Sequence, residues 1–325
     1  MFEFLLSILA LSAIVFVHEL GHYLLARATN IGVEVFSVGF GSVIYSFVDK
    51  RGTKWQICAI PLGGYVHPKD NDRYEHGKVV GQKFYDASPY KGIILALAGP
   101  AFNFISAFLC ILALAVSFGV PKFNPQIREV MPGSCAIGKL VAGDVVLKVN
   151  DIQVTDSMIS GLKDPIVTIL RAHETLNVQL NKNANDAYKI IFESTFEKVT
   201  FASAIKEAFF YVLYGVYSTI TRIFGAIVSL NIMGPLGIMK AGVKMQQHGF
   251  ASFMIFIANI SIAIGAFNLL PLPLLDGGRI LMFMFAAIAG RRLPNVFEKW
   301  FSYISIGLLG GLFLLGFLLD IKGLF

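Results

Sequence analysis

The stretch FVHELGH, residues 16–22, lies inside an apolar run from Met1 to about Ala26 that is otherwise long enough to span a membrane. Each ionisable side chain at the centre of a span costs about 2.5–3.5 kcal/mol on insertion scales, so such groups usually persist because they serve a function. On a helix His18 and His22 stand one turn apart on one face, where both imidazoles can reach a single tetrahedral metal ion. Glu19 is adjacent and can take a proton from water, the pattern of a zinc hydrolase. The plainer alternative is three satisfied polar residues in a helix interface.

The rest of the chain fits a membrane setting. Of its 325 residues 55% are hydrophobic and only 15% are charged, too apolar for an ordinary soluble domain. Four stretches reach the length of a span: about Met1–Ala26, Gly92–Val120, Phe250–Leu270 and Phe301–Leu319. A fifth, near Phe209–Leu230, is interrupted by Arg222 and flanked by Lys206 and Glu207, so an amphipathic helix lying at the interface is expected there. The sequence Ala26-Arg27-Ala28 has the small residues of a signal cleavage site, but the only charge before the apolar core is Glu3, whereas a signal peptide starts basic. The first segment is therefore expected to be retained.

Lys and Arg residues set the expected orientation. Arg27, Lys50, Arg51, Lys54, Lys69, Arg73, Lys78, Lys83 and Lys91 all follow the first span, which makes that loop cytoplasmic. The segment between spans two and three is long enough to cross regardless of its charge, and is expected outside. The net charge of +6 then reflects topology, and no interleaving of basic and aromatic residues points to nucleic acid. Cys58, Cys110 and Cys135 are scattered and suggest neither a disulfide framework nor a metal pair. His67, His76, His173 and His248 lie in polar or flanking stretches and read as solvated.

A catalytic zinc site usually has three protein ligands and one open position. Between residues 250 and 290 the only acidic residue is Asp276, in NLLPLPLLDGGR, just after span three and on the same side of the membrane as the histidine pair. A turn or helix cap before Gly277 and Gly278 explains the same residue equally well.

HELGH in the first span, GPAFNF at 99–104 and NLLPLPLLDGG at 268–278 together resemble the site-2 protease family of intramembrane zinc metalloproteases, most of all its bacterial regulator-of-sigma-E protease branch. The resemblance covers nearly the whole chain. It implies Zn²⁺ as the cofactor, held by His18, His22 and Asp276, with Glu19 as the catalytic base. It also implies a polytopic α-helical membrane protein of about four spans, with a membrane-associated β-hairpin and an inserted β-rich PDZ domain. Residues 127–154, IREVMPGSCAIGKLVAGDVVLKVNDIQV, resemble a bacterial PDZ domain with a turn at Pro132-Gly133-Ser134 and a strand at VVLKVN. Only one such domain fits between Pro121 and Glu197, where the best-known members of the branch resemble a tandem of two.

The expected organisation is a catalytic membrane half at 1–120, an external PDZ domain at 121–197, an interfacial helix and linker at 198–249, and a second catalytic half at 250–325. The stretches VFSVGFGSVIYSF and TKWQICAIPLGGYV alternate in polarity and read as a hairpin closing on Gly63-Gly64. Its use, by resemblance, is to hold an unwound substrate as an added strand; a loop that only shields the site is the alternative. Pro271 and Pro273 cannot continue a helix, so an extended chain is expected after Asn268, which by resemblance binds substrate. Asn103, Gly63 and Gly64 join it as candidate substrate-binding residues, although an amide at Asn103 could equally cross-link two helices.

The expected partners are the lipid bilayer and single-span membrane proteins such as anti-sigma factors or remnant signal peptides, in a bacterial inner membrane, with the active site toward the cytoplasm. Two alternatives keep the motifs: an inactive scaffold or chaperone, and a divalent metal transporter. The transporter would call for a ladder of polar residues through several spans, which spans two to four lack outside these motifs.

Overall fold

The computed structural model describes residues 2–69, 80–84, 87–131, 134–153, 165–180, 190–229, 234–290 and 295–322. His76, with Pro132 and Gly133 of the expected turn, lies outside the described residues. The chain divides into two compact units, one built from Met1–Leu114 and Ile205–Phe325, the other from Ala115–Ala204.

In the first unit the helices are α1 (Phe2–Ala28), α2 (Pro89–Phe118), α3 (Phe201–Ser229), α4 (Pro235–Gln247), α5 (Phe250–Asn268), α6 (Asp276–Ala289) and α7 (Asn295–Lys322). Among the described residues, α1, α2, α5 and the Tyr303–Asp320 part of α7 are long and apolar enough to cross a membrane. The chain is a polytopic membrane protein. Helix α1 ends in a left-handed residue, Asn30 at φ 61°, and Ile31 N–H returns to the Ala26 carbonyl at 2.8 Å, a termination that asparagine can adopt at little cost.

Helix α3 is more than a surface helix. Ala208 and Val212 on one face pack with Ala107 and Ile111 of α2 and with Ala258 and Ile262 of α5, while Phe209, Phe210, Tyr214 and Tyr217 remain exposed. Its polar breaks therefore fall on a helix that shares a core with two spans. The linker expected after it contains a further helix, α4. Asp320 near the end of α7 accepts the Gly234 and Gly237 backbone N–H groups at 3.1 and 2.9 Å, satisfying donors that the start of α4 cannot pair internally.

The hairpin strands are β1 (Val33–Val48) and β2 (Lys54–Pro68), and each is used twice. Residues 43–48 pair with 54–58, while residues 33–38 pair with 64–68 and also lie beside 54–57. The two long strands thus fold over into four short rungs, a more layered object than a simple hairpin. Glycine makes the bend possible: Gly63 has φ 99°, and a β-carbon there would run into the ring of Phe40. The sheet is fastened to the end of α1 through Asp49, whose carboxylate accepts Tyr23 Oη at 3.2 Å, Trp55 Nε1 at 3.1 Å and Arg27 Nη2 at 3.3 Å.

The second unit holds a six-stranded sheet of β3 (Val120–Val130), β4 (Val145–Val149), β5 (Ile152–Gln153), β6 (Ile166–Arg171), β7 (Glu174–Gln179) and β8 (Ile190–Glu197). The order is β7-β6-β4-β3-β8, with β5 beside β4. Its core gathers Ile127, Leu140, Val146, Val149, Val167 and Ile169. Val146 and Val149 are three residues apart yet both buried, because the register with β6 slips between Val146 and Lys148; this bulge breaks the strict alternation expected of VVLKVN.

Asp144 is buried in this unit, and Arg171 grips it with two bonds of 2.7 Å while Val141 N–H adds a third at 2.9 Å. Burial alone would raise its pKa, but the Arg171 and Val141 hydrogen bonds and the Arg171 charge hold it below the ordinary carboxylate value of 3.8. A folded value below the unfolded one means that the stabilisation is complete at neutral pH and is lost as pH falls through the lowered value. Asp144→Ala is expected to destabilise this unit by about 2–3 kcal/mol, since it removes three bonds to a buried charge. Hydrogen exchange of β3, β4 and β6 at pH 7 would show the loss, and unchanged protection in the variant would refute it.

Candidate metal centre

The site begins with two glycines that let α1 and α2 touch. A β-carbon at Gly21 would lie 2.6 Å from the Ala98 carbonyl oxygen, and one at Gly99 would lie 2.6 Å from His18 Nε2 and closer still to His22 Nε2. Any other residue at either position would push the helices apart, as small residues are needed wherever membrane helices approach closely.

Across this contact the structure brings His18, His22 and Asp276 together. His18 Nε2 and His22 Nε2 are 3.2 Å apart, and Asp276 Oδ2 lies 3.1 Å from the first and 3.4 Å from the second. Four ligands at the zinc distance of about 2.0–2.1 Å in a tetrahedron would be separated by about 3.3 Å, so the three atoms already form one face of such a polyhedron. All three residues are buried, and they form the candidate metal cluster found among the described residues. Asp276 Oδ2 takes no well-formed hydrogen bond from the protein. Two imidazole nitrogens and a carboxylate oxygen suit zinc in chemistry as well as in spacing, and the bare α-carbon of Gly99 leaves the room that an ion needs.

Outer contacts orient the rings. His22 Nδ1 lies 2.8 Å from the Leu95 carbonyl oxygen, which can only accept, so this nitrogen carries the proton and Nε2 presents its lone pair. Asp276 is the first residue of α6, preceded by consecutive turns over residues 269–275 rather than the extended chain expected after Asn268. Leu272 N–H to the Leu270 carbonyl and Leu275 N–H to the Leu272 carbonyl close those turns. Gly277 and Gly278 permit them, because β-carbons there would strike the Leu269, Leu270 and Leu272 carbonyls. Asp276 is thus the first residue of the helix, with Leu275 rather than Asp276 at the cap position, and its carboxylate points at the histidines.

A cavity of about 600 Å³ opens beside the three residues. Glu19 lines it, as do Asn268 and, on the hairpin side, Gly64, Tyr65 and Val66. Gly64 is set close enough that a β-carbon would lie 3.3 Å from Glu19 Cγ. Among the described residues, Gly64, Tyr65 and Val66 have strand partners only on β1. Gly63 is not among the residues that line the cavity, and its place is the bend beneath Phe40. Asn268 closes α5 and donates its amide to the Ile264 carbonyl at 3.0 Å. Asn103 is fully buried behind His18 and does not line the cavity.

Sequence reasoning missed three contributors. Arg279 lines the cavity and lies near enough to Glu19 to act on its charge; its position, one turn into the helix that Asp276 opens, was the available signal. Gly99 belongs to the quoted GPAFNF stretch, but glycine has no side chain to betray a role. The Leu95 carbonyl gave no signal, since a backbone group is the same at every position.

A family model described as peptidase family M50 matches residues 6–312. A candidate zinc metalloprotease of Rickettsia conorii is 34% identical over 320 residues, covering 89% of each chain. Another from Campylobacter jejuni is 32% identical, covering 98% of this chain and 93% of its own. Metalloprotease MmpA of Caulobacter vibrioides is 32% identical, covering 95% and 91%. With a family match along almost its full length, relatives named for zinc proteolysis and a fold of apolar helices, the chain belongs to peptidase family M50, the membrane zinc metalloproteases of the site-2 type.

Proposed function

We propose that the protein hydrolyses peptide bonds within the transmembrane segments of single-span proteins, such as anti-sigma factors or remnant signal peptides, with His18, His22 and Asp276 holding zinc and Glu19 acting as base. The observation that carries this reading is the cavity, where a strand edge with no second partner among the described residues and the half-buried Glu19 carboxylate lie beside a triangle of atoms of metal-ligand type.

A peptide bond in a helix is enclosed by its neighbouring turns, so a substrate must unwind before water can attack. The edge at Gly64–Val66 offers backbone groups to the unwound segment and holds it as an added strand next to Glu19. Bound zinc supplies Lewis acidity toward the scissile carbonyl and makes water acidic enough to lose a proton near neutral pH. Glu19 accepts that proton and returns it to the departing amine. Asn268, at the mouth of the turn that carries Asp276, contacts the substrate backbone. The apolar side chains of Leu95 and Ala96 on α2 and of Phe283 on α6 exclude other water.

The β-rich unit is read as a single PDZ domain at 121–197 that faces the outside of a bacterial inner membrane and restricts large external domains, while the helices over 198–249 connect it to the second catalytic half. Support comes from the basic residues between α1 and α2, which favour the cytoplasm.

Three tests follow from this assignment. Glu19→Gln keeps the ligands but cannot accept a proton, so cleavage of a model single-span substrate by purified protein should fall by about 10²–10⁴-fold with zinc content unchanged; near-normal cleavage would show that another group is the base. Asp276→Asn and Gly99→Ala should each weaken zinc binding by about tenfold or more, the first by removing ligand charge and the second by placing a methyl between the imidazoles. Gly307→Ala, at a position with open space around it, should match wild type in elemental analysis. Equal zinc in all four proteins would dismantle the assigned centre. Finally, a tag within residues 125–195 should react with an impermeant label from outside intact spheroplasts and one within 68–85 only after lysis; labelling of both from one side would overturn the topology.

A further inference from the structure

His18 and His22 differ in the group that faces the second nitrogen of each ring. For zinc to bind at Nε2 of both histidines, each ring must carry its proton on Nδ1 and find an acceptor for it. His22 has the Leu95 carbonyl. His18 Nδ1 has the side chain of Asn103 at 3.2 Å, with the amide nitrogen facing it and the amide oxygen, also buried, without a partner.

A carboxamide exchanges its oxygen and nitrogen by a half-turn of its last torsion, at the same positions and in the same volume. Either orientation leaves one amide atom without a partner, so hydrogen-bond counting does not choose between them. The imidazole does. If the amide donates to Nδ1, the His18 proton sits on Nε2 and points at Asp276 Oδ2, 3.1 Å away, blocking the lone pair that a metal needs. If the oxygen faces Nδ1, it accepts the proton there and Nε2 is free to bind.

We propose that Asn103 is a positioning residue whose side-chain carbonyl accepts Nδ1–H of His18 and so keeps the His18 Nε2 lone pair aimed at the metal. This rests on the assignment of His18, His22 and Asp276 as the zinc ligands. The surroundings hold Asn103 in place for the task. Its backbone carbonyl receives the hydroxyls of Ser106 and of Ser261 on α5, each at 2.9 Å, and a β-carbon on Gly265 would lie 3.2 Å from Asn103 Cβ. Residue 103 is completely buried, so solvent cannot serve as the acceptor instead. Three of the long apolar helices thereby converge on one proton: α1 supplies the ring, α2 the amide and α5 the clamp. The asymmetry between a backbone acceptor for His22 and a side-chain acceptor for His18 makes only the second open to substitution.

The test measures zinc affinity of the full-length protein in detergent by competition with a chromophoric chelator, together with the visible absorption of the cobalt-loaded form. Asn103→Leu preserves size but offers no acceptor, and is expected to weaken zinc binding by about 10–100-fold and to alter the cobalt bands, whereas Asn103→Asp, with two acceptor oxygens, should stay within about threefold of wild type or bind more tightly. A purely structural cross-link between helices would leave the cobalt bands unmoved and would not be rescued by aspartate. Wild-type affinity in Asn103→Leu, or a loss in Asn103→Asp as large as in Asn103→Leu, overturns the proposal. If Asn103→Leu is not monodisperse, Asn103→Asp decides alone, and a tenfold weaker affinity in it overturns the proposal. His18→Ala separates the two levels: if it binds zinc as wild type does, the ligand assignment itself falls and the proposal with it, whereas loss of zinc in His18→Ala beside normal binding in Asn103→Leu removes Asn103 alone.

Discussion

The approach of α1 to α2 at Gly21, Ala98 and Gly99 is the contact on which the site depends. Neither glycine has room for a β-carbon, and without that closeness the imidazoles of His18 and His22 would face a helix surface rather than a pocket at metal-ligand scale. The same closeness lets His22 reach the Leu95 carbonyl and His18 reach Asn103. Packing here is also ring orientation, because in a desolvated interface each imidazole nitrogen must have a partner suited to its proton.

The electrostatics of the site give a reason for the cation. His18, His22 and Asp276 are buried, and the Glu19 carboxylate lies within a few side chains of them. A carboxylate withdrawn from water, such as that of Asp276, is costly unless paired, and a divalent ion at the three side chains would offset that cost. The cavity meets the opposite need. It opens a space of about 600 Å³ among apolar helices, and its hairpin wall combines the backbone edge at Gly64–Val66 with the side chains of Phe40 and Tyr65.

The hairpin shows how local bends create that wall. A flat two-stranded ribbon of fifteen or sixteen residues per strand would extend far from α1. Folding each strand into two rungs, with Gly63 relieving the crowding at Phe40 and Asp49 tied to Tyr23, Arg27 and Trp55, returns residues 64–66 to the side of Glu19. The apolar residues Val43, Ile44, Tyr45 and Phe47 on the outer rung are exposed.

Much of this was legible in the sequence. The spans follow from twenty-residue apolar runs, which nothing but hydrocarbon or a large core can solvate, and the His18–Glu19–His22 spacing follows from the helical period that places residues four apart on one face. The alternation in residues 35–66 marked strands, and Gly63-Gly64 marked a break. Tertiary structure decided the rest. Sequence spacing carries no information about a contact between residues 18 and 276, and only the fold brings the Asp276 oxygen to 3.1 Å from His18. The proline-rich approach to it could be judged extended because each proline fixes only its own φ, while the turns actually formed fold the Leu269, Leu270 and Leu272 carbonyls back over Gly277 and Gly278. Asn103 could be set on either side of the histidines, since an amide in a span needs a partner but its sequence does not say which. Local chemistry determined which groups could act, and only the packing of α1, α2 and α6 determined which of them meet, because distances between side chains far apart in the chain are set by the helices that carry them.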